Sequence, residues 1–193
     1  MKKKEWVYRE ILYQTLEKKE NFITQKFLSE KCKVSIGNVN HAIEPLESMN
    51  AIEKKPKGFR VIEAKKILLY WASIRNLNRD IVYETFAKNS VMDIEKSMPQ
   101  VLFTAYSCFK FKFNSVPSDY SEVLIYGNKK EIMDRFPPEQ GKHNVIVLQP
   151  DTHLMQFKEI PISQLFADLW NLNTWYAQEF LKALEVKING ILE

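Results

Sequence analysis

Apolar residues recur at helical spacing along the first part of the chain. Between Glu5 and Glu17, Trp6, Val7, Ile11, Leu12 and Leu16 share one face, with charged residues between them, and predict a first helix. Asn21-Phe22-Ile23 breaks that pattern. Thr24 is a good N-cap for a second helix that carries Phe27 and Leu28 inward until about Cys32, and Lys33-Val34 makes a turn. Ser35 caps a third helix, on which Ile36, Val39, Ala42, Ile43 and Leu46 cluster on one face. Gly37, His41, Glu44 and Ser48 then point the opposite way, with Asn38 and Asn40 on the flanks. Pro45 removes one helical hydrogen bond, so a kink or a loosened last turn is expected there.

The period then changes. Ala51 to Lys55 and Phe59 to Glu63 are short strand-like runs, and Pro56-Lys57-Gly58 between them suits a tight turn. From Ala64 to about Phe86 a helical stripe returns (Ile67, Leu68, Trp71, Ile74, Leu77, Ile81, Val82), with a possible break near Asn76 to Asn78. Such a helix could bridge two domains or pair with a second copy. Val101 to Phe113 is apolar and aromatic. Glu122 to Tyr126 and Asn144 to Leu148 read as buried strands, and Lys130 to Phe136 between them reads as a helix ended by Pro137-Pro138. Strand, helix and strand in that order suggest a small α/β unit. Ser163 to Asn171 and Trp175 to Ile188 are closing helices.

Two helices joined by a tight turn, followed by a hairpin, form the pattern of a winged helix-turn-helix, a device for entering the DNA major groove and gripping its backbone. The expected organisation is α+β: a winged helix-turn-helix over residues 1–66, a connecting helix over 67–90 and an α/β domain over 91–193. Charge supports a polyanion partner for the first part. Residues 1–66 hold 15 Lys plus Arg against 9 Asp plus Glu, a balance of +6, whereas residues 67–193 hold 13 against 15, a balance of −2. The remaining composition, 45% hydrophobic and 27% charged, is that of a folded globular chain.

In such a fold the third helix presents side chains to base edges, which makes Asn38, Asn40 and His41 the base-edge candidates. Thr24 and Gln25 open the second helix, where free backbone amides can hold a phosphate, and Ser35 opens the third. Lys31, Lys33, Lys54, Lys55, Lys57 and Arg60 are the phosphate-neutralising candidates around the turn and wing. Each could equally be an ordinary solvated surface residue.

Catalytic signals are absent from the pattern. There is no nucleophile elbow, no Walker loop and no dinucleotide fingerprint, and His41, His143 and His153 lie in no cluster with metal-ligand spacing. No cofactor and no metal is expected. Asp151 and His153 follow a strand end, a place that suits either a turn or a site. Trp170, Trp175, Tyr176 and Phe180 read as core, with an oligomer or partner interface as the alternative. Two distant cysteines, no long apolar run and no signal peptide point to a soluble cytoplasmic protein.

A family resemblance adds to this. Pro99-Gln-Val-Leu-Phe-Thr-Ala-Tyr106, Pro117 to Tyr126, Arg135-Phe-Pro137, Asn144 to Asp151 and Phe166-Ala-Asp-Leu-Trp-Asn171, preceded by the helix-turn-helix pattern, resemble the AbiEi-like antitoxin and transcriptional-regulator family of type IV toxin-antitoxin systems. The resemblance implies operator binding by the winged helix, a nucleotidyltransferase-like C-terminal domain and double-stranded DNA as partner, with a cognate toxin and a homodimer as further candidate partners. The Gly-Ser turn and Asp-x-Asp pair of an active nucleotidyltransferase are missing; Gly127-Asn128 is the nearest approach. The expectation is therefore a transcriptional regulator without enzymatic activity, against the alternatives of a divergent nucleotidyltransferase and a protein-interaction module.

Overall fold

The computed structural model describes residues 1–192 and has an α+β fold with two small sheets. Helix α1 (Lys3–Leu12) runs directly into a π-helical turn, Tyr13–Glu17. Then follow β1 (Phe22–Ile23), α2 (Gln25–Cys32), α3 (Ile36–Ser48), β2 (Ile52–Lys55), β3 (Gly58–Val61) and α4 (Ala64–Ile74). The first sheet is antiparallel, with β3 between β1 and β2.

Local chemistry accounts for the start of both central helices. Thr24 Oγ1 accepts from the Phe27 amide at 3.1 Å, and Ser35 Oγ accepts from the Asn38 amide at 3.2 Å. Lys33 ends α2 in the left-handed region with φ 50°, which turns the chain sharply into α3. Helix α3 passes through Pro45 without ending, so the expected kink or loosening does not terminate it before Ser48.

The hairpin turn differs from its expected form. Lys55 pairs with Gly58, so Pro56 and Lys57 alone form the loop, and Lys57 takes the left-handed conformation with φ 67°. Gly58 serves close packing instead, because a Cβ there would lie 2.5 Å from the Ile23 carbonyl oxygen. Gly58→Ala is therefore expected to push β1 away and to destabilise the fold by about 1–3 kcal/mol. Lys57→Gly should relieve backbone strain and raise stability slightly. Urea midpoints of the two variants, moving in opposite directions, check this pair; equal midpoints would refute it.

After α4 the chain makes a 3-10 turn (Leu77–Asp80) and enters β4 (Ile81–Thr85), α5 (Val91–Ser97), β5 (Leu102–Phe103), α6 (Ala105–Phe113), β6 (Val123–Tyr126), α7 (Lys129–Arg135) and β7 (Val145–Leu148). A 3-10 turn (Leu154–Gln156), α8 (Ile162–Trp170) and α9 (Trp175–Leu192) close the fold. The second sheet has the order β4-β7-β6-β5; β6 and β7 are parallel, joined through α7, and the outer strands are antiparallel. The expected connecting helix over 67–90 is corrected here. Helix α4 stops at Ile74, and Ile81 and Tyr83 pair with β7 on either side of an irregularity at Val82, because β-branched and aromatic residues gain more on a sheet edge than in a helix interrupted by Asn76 and Asn78.

Both faces of β6 are covered, as a central strand requires. Leu124 and Tyr126 face the main core, which runs continuously through α1, α3, α4, α6, α8 and α9. Val123 and Ile125 face a second, smaller core with Ile94 and Ile132 from α5 and α7. Helix α1 sits against α2, α3, α4 and α8, and so links the first sheet's layer to the second.

Candidate nucleic-acid interface

Helix α3 buries Val39, Ala42, Ile43 and Leu46, and that packing turns Gly37, Asn38, His41, Glu44 and Ser48 to solvent. Asn40, on the flank, is half-buried. Ile36 departs from expectation: it is 50% exposed instead of lying in the core. Spacing alone could not place it, because exposure in the first turn depends on what packs beside the helix. His41 Nδ1 lies 3.5 Å from Glu44 Oε2, and both side chains are largely exposed. That carboxylate repels phosphate and can accept from a cytosine amino group, so this stretch of α3 suits base edges better than backbone.

Thr24 and Gln25 are half-buried at the start of α2, where Thr24 already caps its own helix. Ser35 is exposed and capping. The hairpin carries the charge. Lys54 and Lys55 pair with Glu47 and Glu53, each at 2.5 Å. Such exposed pairs are worth about 0–1 kcal/mol and yield readily to a phosphate. Lys33, Lys57 and Arg60 are exposed, and among the described residues none of them has a carboxylate within ion-pair distance. Lys31 stands apart from this group. It lines a groove with Tyr13, Glu17 and Phe157, and its carbonyl accepts from Gln156 Nε2 at 3.1 Å.

Asp151 and His153, which follow β7, are taken up by a buried polar network. Arg9 donates to both Asp151 oxygens at 2.9 and 2.7 Å and to Gln164 Oε1 at 2.8 Å. Asp151 Oδ1 also accepts from the amides of His153 and Leu154, which makes the turn. A guanidinium only donates, so His153 Nδ1 accepts from Arg9 at 3.2 Å, and Nε2–H donates to Glu10 at 2.9 Å. These groups tie α1 to the end of β7 and to α8.

Burial opposes the Asp151 charge, but the hydrogen bonds and charge of Arg9 outweigh it and hold the carboxyl below its ordinary value of 3.8. Burial likewise opposes Glu10, whose bonds from His153 and Gln14 hold it below 4.5. Carboxyls depressed on folding contribute stability that is present above their unfolded values and is lost as the pH falls through the folded ones. Glu17 has the opposite sign, because burial raises it, so its contribution is fullest below 4.5. The expected outcome is a loss of stability below about pH 4.5 that is blunted in Asp151→Asn, read from urea midpoints across pH. An identical acid limb in that variant would remove Asp151 from the account.

Other chemistry is limited. Burial pushes both thiols, Cys32 and Cys108, up to about 12, so neither is a nucleophile at neutral pH. Among the described residues no group of three or more His, Cys, Asp and Glu side chains is placed to hold a metal ion. A cleft of about 1020 Å³ opens at the carboxyl ends of β6 and β7, lined by Tyr126, Gly127, Asn128, Gln149, Asp151 and Lys158 with others. That is where α/β sheets receive polar small molecules. The closing aromatics split: Tyr176 and Phe180 are buried, whereas Trp170 and Trp175 are exposed. No helix among the described residues is long and apolar enough to cross a membrane. In comparisons with family models, curated proteins and solved structures, the chain matches none.

Proposed function

We propose that the chain is a double-stranded DNA-binding transcriptional regulator whose first part is a winged helix and whose second is a nucleotidyltransferase-like domain without catalytic groups. The order α1-β1-α2-α3-β2-β3, with β3 central in the first sheet, supports the winged-helix reading. The observation that carries the function is the presence of exposed polar groups on α3 together with exposed cations in the turn before it and on the hairpin. An outward face of α3 offers Asn38 and His41 to base edges, while Lys33, Lys57 and Arg60 offer unpaired charge to phosphates. The parallel β6-α7-β7 unit supports the reading of the second part.

The mechanism is occupancy. A homodimer would place two α3 helices in successive major grooves, about 34 Å apart, and so block or assist polymerase. Gel-shift titration of the full chain on duplexes recovered by in-vitro selection tests it. Asn38→Ala and His41→Ala are expected to weaken selected duplexes at least about five-fold each while sparing unrelated ones. Lys57→Ala is expected to weaken both alike. Unchanged affinity in all three variants would overturn the assignment. An antitoxin and autorepressor role is a narrower form of the same proposal, tested by whether the chain restores growth when a toxin encoded beside it is expressed.

A further inference from the structure

We propose that the first turn of α3 reads a thymine methyl group, through the Ile36 side chain and the gap left by Gly37; this rests on the DNA-binding reading above. Ile36 is 50% exposed at the start of the helix, on a chain whose other α3 aliphatics are buried. Gly37 beside it has no internal reason. A Cβ at this position would meet nothing nearer than Ser35 Oγ at 3.8 Å, and its φ is not positive. A glycine in a helix is less stable there than alanine. Neither packing nor backbone geometry recovers that here, whereas close approach of the backbone to a ligand uses it.

The surroundings say which ligand. Unpaired Lys33 stands just before this turn, and Lys57 and Arg60 lie on the hairpin, so the partner is a polyanion with an apolar spot at its reading surface. Duplex DNA presents one such spot in the major groove, the C5-methyl of thymine, and aliphatic side chains at a reading helix contact it. Asn38, one residue further on and exposed, can pair with an adenine in the same stretch. The recognised sequence therefore contains an A·T pair opposite the first turn of α3.

The test uses the full chain and duplexes selected from a random pool, with each thymine replaced in turn by deoxyuridine, which removes the methyl and nothing else. At one position the unsubstituted protein should lose about three- to ten-fold in affinity, and Ile36→Ala should lose nothing further there. Gly37→Ala should unfold at higher urea yet bind the thymine duplex more weakly. Sequence-specific binding that ignores deoxyuridine at every position would overturn this inference and leave the DNA-binding reading intact. Failure to retain any duplex at low salt would overturn both.

Discussion

Asp168→Ala is expected to cost about 3–5 kcal/mol of stability. Asp168 is fully buried on α8 and accepts from Thr104 Oγ1 at 2.8 Å, Tyr126 OH at 2.7 Å, Gln164 Nε2 at 2.8 Å and Arg75 Nε at 3.3 Å. Arg75 in turn donates to Asp80 at 2.6 Å and lies 3.8 Å from Glu5. Burial opposes the guanidinium charge, but the Asp168 and Asp80 carboxylates outweigh that and hold it protonated. Burial, and then the Asp168 charge, push the Tyr126 phenol well up, so it stays a donor. Alanine at 168 leaves three donors and part of a cation without their acceptor, and the backbone of a packed helix cannot move to replace it. A folded chain of this size has about 5–15 kcal/mol in all, so the urea midpoint should fall by about a fifth or more at unchanged slope. A shift below about 1 kcal/mol would show that water enters and satisfies the site, contrary to its burial.

The triple variant Lys33→Ala/Lys57→Ala/Arg60→Ala is expected to abolish most DNA affinity while leaving the fold intact. All three side chains are exposed and, among the described residues, none is in an ion pair, so their removal exposes no buried partner. Each phosphate contact releases counterions and adds about 0.9 to the slope of log K against log salt, so three contacts should flatten it by about 2.7. Affinity at low salt should fall on selected and unrelated duplexes alike, because phosphates carry no sequence. Titrations at four or more salt concentrations, with circular dichroism to confirm folding, give the answer. A folded triple variant with the parent's salt slope would place the DNA elsewhere on the molecule. Lys54 and Lys55 serve as the comparison, since each must first leave a glutamate.

The elements near the candidate interface were legible because their causes are local. Thr24 and Ser35 cap by reaching an amide three residues on, and the buried stripe of α3 is set by helical geometry alone. Strands β6 and β7, helix α7 and the closing helices follow equally local patterns. Strand β1 was missed because two residues carry no period, and it exists only through its pairing with β3. Strand β4 reads as helix in the sequence because Ile81 and Val82 continue a helical stripe, while β7, the partner that decides the matter, lies far along the chain.

The sequence by itself determined where the helices α2 and α3 begin, which face of α3 is polar and where the basic excess lies, since each depends on neighbours within one or two turns. Only the tertiary structure decided the fate of the charges on α1. In the sequence Glu5, Arg9 and Glu10 are charged residues among the apolar positions of α1; packing against α4, α8 and the end of β7 buries all three. Their partners Trp71, Asp151, Gln164 and His153 come from distant segments, and a buried charge is stable only once those partners arrive. The same holds in reverse for Ile36. Its aliphatic chain reads as core, yet in the fold half of Ile36 stays exposed, an outcome set by how the surrounding elements pack and not by the residue type.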